Sequence, residues 1–155
     1  MANMRKIEEM LMTAIFEVFE KMFFIFNEPL RSDGGVYHMK AAINFSGPAN
    51  GGMQILFSRG VAETMAKNML NLEEAEITEQ VTADCMREAV NMICGNFVRK
   101  LDPERGFRLS IPTLEVISEN VQRDQQTKTH DIRLTLASET GNIEVSMTAA
   151  DILRV

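Results

Sequence analysis

The sequence predicts an α+β fold, two long helices packed on a mostly antiparallel sheet, with pseudo-two-fold repeated halves. Three observations carry that expectation. Residues 4–26 and 79–101 repeat apolar side chains at helical spacing over several turns. Elsewhere, runs of β-compatible residues are separated by turns rich in Gly, Asn and Ser. The order long helix, strands, short helix also occurs twice, in residues 4–71 and again in 78–153. In that arrangement Glu17-Val18-Phe19-Glu20 falls opposite Glu88-Ala89-Val90-Asn91.

The first helix is expected over residues 4–26, with Ile7, Leu11, Ala14, Ile15, Val18, Phe19, Met22 and Phe26 on its apolar face and charged residues largely between them. Asn27-Glu28-Pro29 stops it, and residues 31–35 form a loop. Strands follow over 36–45 and 53–57, joined by a Gly- and Pro-containing turn. Ser58 is positioned to cap a second helix over 60–71, and Thr78 to cap a third that ends near Leu101, before Asp102-Pro103. Strand pieces are expected at 107–111 and 114–117 around Pro112, then a polar loop or exposed turn over 118–129. The alternation in 132–136 and 143–147, across a turn at 138–142, is the clearest hairpin. A short helical tail begins near Ala149.

Composition limits what such a fold can do. The chain of 155 residues is expected to form one domain over residues 1–155, large enough to hold a core without disulfides or a structural metal. Cys85 and Cys94 lie nine residues apart on one helix, about 13 Å along its axis, too far for a disulfide within it. With 22 acidic against 16 basic residues and a net charge of −6, generic binding to nucleic acid or an anionic membrane is disfavoured. Acidic residues interrupt the N-terminal apolar stretch before a signal or membrane segment could form, so a soluble, cytoplasmic protein is expected. His38 and His130 stand alone, without metal-ligand spacing, and Gly34-Gly35 and Gly51-Gly52 lack the context of a phosphate loop.

The third helix carries the informative pattern. At about 100° per residue, Met86, Val90, Ile93 and Phe97 share one face and form its core side. Opposite them lie Asp84, Glu88, Asn91 and Gly95, so a carboxylate and an amide one turn apart project together into solvent. Asn is a poor helix former, and an interior Gly costs about 1 kcal/mol relative to Ala. Close approach of another backbone or side chain along this stripe would account for Gly95. Arg87 and Arg99 flank the stripe, with Met92 and Val98 near its sides. Polar at its centre, cationic and apolar at its shoulders, such a surface suits docking of a macromolecule.

Asp84-Cys85-Met86-Arg87-Glu88-Ala89-Val90-Asn91, followed by Gly95, resembles the signature of the CheC/CheX/FliY family of bacterial chemotaxis phosphatases, which also has a proline a little over twenty residues on; Pro112 lies 21 after Asn91. The resemblance implies a CheC-like fold and hydrolysis of the aspartyl phosphate on a phosphorylated CheY-like receiver domain. In that reading Asn91 orients the attacking water and Glu88 contacts the receiver's lysine, while Asp84, Arg87, Met92, Gly95 and Arg99 contact the partner. No metal or cofactor is expected on this chain; Mg²⁺ is expected on the receiver.

CheC-type members carry the motif in both halves. Here Glu20 stands where the first half would need Asn, and a carboxylate would repel a phosphoryl group and cannot donate as an amide does. One active stripe per chain is the pattern of the CheX type, which implies a homodimer with a sheet extended between subunits. FliY-like proteins add further domains, for which this length leaves no room. The alternative is a non-catalytic homodimeric module that binds or sequesters a response regulator through the same helix. In a third reading the stripe of a structural dimer is idle.

Overall fold

A computed structural model describes residues 3–30, 35–104, 106–117, 131–148 and 151–152. The expected loop at 31–34, the polar stretch 118–129, His130 and most of the tail from Ala149 lie outside the described residues.

Helix α1 (Met4–Val18) starts where the Asn3 side chain accepts a hydrogen bond from the Lys6 amide, and it buries Ile7, Leu11, Ala14, Ile15 and Val18. It continues as a π-helical turn, Phe19–Phe23, and stops at Phe24, whose φ of 55° is left-handed. The helix is therefore shorter than the expected 4–26. The wider turn changes the phase, and the chain leaves the helix at Phe24: Phe19, Phe23 and Ile25 are buried while Met22 is 37% and Phe26 70% exposed, reversing the expectation for those two residues. The amide of Ile25 reaches back to the Phe19 carbonyl and closes the helix end, a role in which glycine would be the ordinary residue.

All strand pairings among the described residues are antiparallel: β1 (Glu28–Leu30), β2 (Met39–Ser46), β3 (Gly51–Phe57), β4 (Arg108–Leu109), β5 (Thr113–Val116), β6 (Ile132–Ser138) and β7 (Gly141–Met147). They form one sheet in the order β1-β6-β7-β3-β2-β4, with β5 also on β2. The centre is the β3/β7 pair, where Met53, Ile55 and Phe57 face Met147, Val145 and Ile143. The unanticipated β1 contains Pro29, and Pro112 separates β4 from β5, so both ends of the sheet carry short strands.

One face of the sheet meets α3 (Glu79–Leu101), against which α1 packs; α2 (Arg59–Leu70) packs against α3 and β7. The helix caps fall where the sequence puts them: Ser58 accepts from the Val61 amide and Thr78 from the Val81 amide. On α3, Met86, Val90, Ile93 and Phe97 are fully buried, each contributing on the order of 1.5–3 kcal/mol. The opposite sheet face is also covered at its centre, where Gln54, Glu144 and Ser146 are buried and Arg133 Nε lies 3.6 Å from Glu144. Both cysteines are free and buried; burial pushes the Cys94 thiol up to about 12.

Candidate functional site

Because the core face of α3 is fixed by four fully buried side chains, its rotation about its axis is fixed too. The stripe opposite is thereby presented outward. Asp84 and Glu88 are exposed, and Asn91 and Gly95 are half-buried as the helix descends beside α1. Neither Glu88 nor Asn91 makes a side-chain hydrogen bond or ion pair with any described residue, so the carboxylate and the amide keep their full bonding capacity for a partner.

Below Asn91 opens a groove of about 700 Å³. One wall is the last turn of α1 and its π extension, with Glu17, Lys21 and Met22. The other is the C-terminal half of α3, with Asn91, Met92, Gly95 and Arg99, and Phe107 and Leu109 close the far end. The groove thus gathers Asn91, Met92, Gly95 and Arg99 from the expected site residues; Glu88 stands one turn above it and Asp84 a turn further.

Arg87 is placed differently from expectation. Its guanidinium is 2.7 Å from Asp84 on the same helix face, and Asp84 also accepts from Gln80 at 3.0 Å. Arg87 and Asp84 therefore offset one another, and Arg99 is left as the exposed cation of α3 in the groove. Gly95 also reads differently. A Cβ built there would meet only Leu109 Cδ1, at an ordinary 3.8 Å, so nothing among the described residues demands glycine.

The α1 wall was not anticipated as part of the site. Glu17 accepts from Asn96 Nδ2 at 3.1 Å and from Lys100 Nζ at 3.2 Å, tying α1 to the last two turns of α3. The hydrogen bond from Asn96, then that from Lys100, holds its carboxyl below the usual value of 4.5. Glu17, which the sequence sets opposite Glu88, is thus engaged within the chain. The signal was present in the pairing of Glu17 with Glu88, but its partners could be found only once the helices were packed. Among the described residues no group of three His, Cys, Asp or Glu could hold a metal ion, and no helix is long and apolar enough to cross a membrane.

The profile of the family described as chemotaxis phosphatase CheX matches residues 39–136. No curated protein sequence is significantly similar. Among solved structures, the fold is similar to that of the chemotaxis protein CheX from Vibrio vulnificus, with a TM-score of 0.78 and 21% identity over 95% of this chain and 99% of that one. It is likewise similar to CheX from Desulfovibrio desulfuricans, with a TM-score of 0.69 and 22% identity over 92% and 97% of the two chains. A third similar chain belongs to the CheX-CheY-BeF3-Mg complex from Borrelia burgdorferi, with a TM-score of 0.70 and 21% identity over 91% and 96%.

Proposed function

The chain belongs to the CheX family of chemotaxis phosphatases, and from that membership we propose that it accelerates hydrolysis of the aspartyl phosphate on a CheY-like response regulator. The observation that carries the reading is the pair of unengaged side chains on α3, Glu88 in solvent and Asn91 at the mouth of the groove. An amide there can accept a hydrogen bond from a water and donate another to a phosphoryl oxygen, holding the water in line with phosphorus. The water oxygen then bonds to phosphorus as the bond to the aspartyl oxygen breaks. Inorganic phosphate and the receiver's carboxylate leave, and a proton passes to solvent. Glu88, unpaired and one turn away, is suited to a charge-assisted bond with the receiver's lysine, fixing the pose.

The chain contributes positioning; the receiver holds the Mg²⁺ that neutralises the phosphoryl oxygens. Asp84 and Arg87, paired with one another, act as a rigid shoulder of the docking face, while Met92 and Gly95 form its floor. The likeness to a chain crystallised with CheY, BeF3 and Mg supports this choice of partner. One stripe per chain is active, because Glu17 is held by Asn96 and Lys100 and Glu20 presents a charge where an amide is required. The reading includes a cytoplasmic homodimer, supported by exposed Ile111 and Val116 at the β5 end of the sheet.

The test is the lifetime of the phosphoryl group on a CheY-type receiver charged with a small-molecule phosphodonor. Wild-type protein shortens it, and Asn91→Ala removes about 100-fold or more of the acceleration, as loss of a positioning group does. Wild-type protein that leaves the lifetime unchanged sinks the phosphatase reading. A stable complex without turnover would then favour the sequestering alternative.

A further inference from the structure

The charges around the groove are unevenly engaged. Glu17 is taken by Lys100, Asp84 by Arg87, and Asp102 has a partner of its own. Lys21 on the α1 wall and Arg99 on the α3 wall are both exposed and line the same groove; neither makes an ion pair within 4 Å among the described residues, and Lys21 acts on Glu17 only through its longer-range charge. Glu20, next to Lys21, does not line it. In a chain of net charge −6, each wall of the groove therefore presents one exposed cation. The same groove is lined by the apolar side chains of Met92, Phe107 and Leu109, which weaken solvent screening of a charge that settles among them.

Position along α3 gives this arrangement a direction. Glu88 lies three residues before Asn91 and Arg99 eight after it, so acid, amide and cation succeed one another over about 16 Å of helix axis. A partner with its cation against Glu88 meets Arg99 with whatever lies about 12 Å beyond the phosphoryl group, and Lys21 lines the same groove from α1. Reversed, it would set like charges together at both ends, which disfavours that pose.

We infer that Lys21 and Arg99 form a second, anion-reading contact that receives a carboxylate-bearing segment of the docked receiver and fixes its direction on α3. The inference rests on the phosphatase reading and names the partner chemistry which that site selects. Its occupant is an acidic segment of the receiver, because the complementary charge is negative and the apolar lining, Met92, Phe107 and Leu109, takes an adjoining apolar side chain.

The experiment pairs Lys21→Glu/Arg99→Glu with Lys6→Glu/Lys67→Glu, which changes net charge equally at exposed positions away from the groove. KM and kcat are measured for dephosphorylation of a CheY-type receiver at low and high salt. Binding of the same receiver charged with beryllofluoride and Mg²⁺ is measured in parallel by titration calorimetry. The groove variant is expected to raise KM and Kd by about tenfold or more and to flatten their salt dependence, with kcat at saturation held within about twofold. Lys21→Arg/Arg99→Lys should restore the wild-type values. Asn91→Ala should do the reverse, lowering kcat with little change in Kd.

If the groove variant and the distal variant weaken binding equally, net charge alone acts and the contact is refuted. A fall in kcat without a change in KM refutes it too. If the wild-type chain binds without hydrolysing, the phosphatase reading fails while the calorimetric arm still decides the contact; no binding at all overturns both.

Discussion

Gly95→Ala should make the protein more stable, and the size of the gain can be worked from the structure. Gly95 lies inside α3, six residues before the helix ends at Leu101. An interior glycine there costs about 1 kcal/mol relative to alanine, through the extra backbone freedom lost on folding. The substitution recovers that amount only if the new methyl finds space, and it does, since its nearest neighbour is Leu109 Cδ1 at 3.8 Å. For a domain of about this size, 1 kcal/mol corresponds to a rise in Tm of about 2–4 °C. Thermal melts and urea titrations with an unchanged m value provide the assay. A Tm equal to or below that of the wild type would show that the helix cannot take the side chain and that glycine serves the fold. A rise means that the fold alone does not need Gly95, which leaves close approach of a partner as the reason for it. Gly95→Leu should then keep the fold and raise KM for the receiver, because its side chain projects into the docking groove.

Gly60 gives the opposite sign: a Cβ there collides with the backbone carbonyl of Thr140 in the β6–β7 turn, so Gly60→Ala should cost about 1–3 kcal/mol and lower Tm; an unchanged Tm would show that the turn yields. Glu17→Gln tests the strap between α1 and α3. The carboxyl's folded value lies below its ordinary 4.5, because of the hydrogen bond from Asn96 first and that from Lys100 second. Its stabilisation is therefore full above that ordinary value and is lost as pH falls through the depressed folded value. The Tm difference between wild type and Glu17→Gln should be open at neutral pH and close below about pH 4.5, and a difference constant with pH would refute the strap.

What could be read in the sequence was what local rules govern. Ser58 and Thr78 cap helices through contacts three residues away, and the hairpin of β6 and β7 joins adjacent segments; both are visible without knowing the tertiary fold. The buried face of α3 was legible because 23 residues of unbroken α-helix keep a constant angular step. In α1 the step changes at Phe19 and the helix stops at Phe24; a wheel drawn at constant pitch assigns Met22 and Phe26 to the core and misses Phe23. No composition signal marks that change, since the stop is a left-handed phenylalanine. Burial of Gln54, Glu144 and Ser146 escaped notice for a related reason: alternation says which residues share a sheet face but not whether that face is covered.

The site divides along the same line. Spacing alone brings Asp84, Glu88, Asn91 and Gly95 to one stripe of α3, and no packing information is needed for that. Which of the surrounding charges remains available is a property of neighbours. Arg87 and Arg99 look equivalent in sequence, yet Asp84 takes the first and leaves the second. Glu17 and Glu88 also fall opposite one another when the two halves of the sequence are set side by side, yet Asn96 and Lys100 hold Glu17 while Glu88 stands without a partner among the described residues. A carboxylate already satisfied by two donors must give them up before binding a partner's cation, so its gain on binding is small. An exposed, unpaired one exchanges only water. Together with the amide at Asn91 and the carboxylate at Glu20, that difference is the physical ground for proposing that Glu88 and Asn91, and not Glu17 and Glu20, meet a receiver.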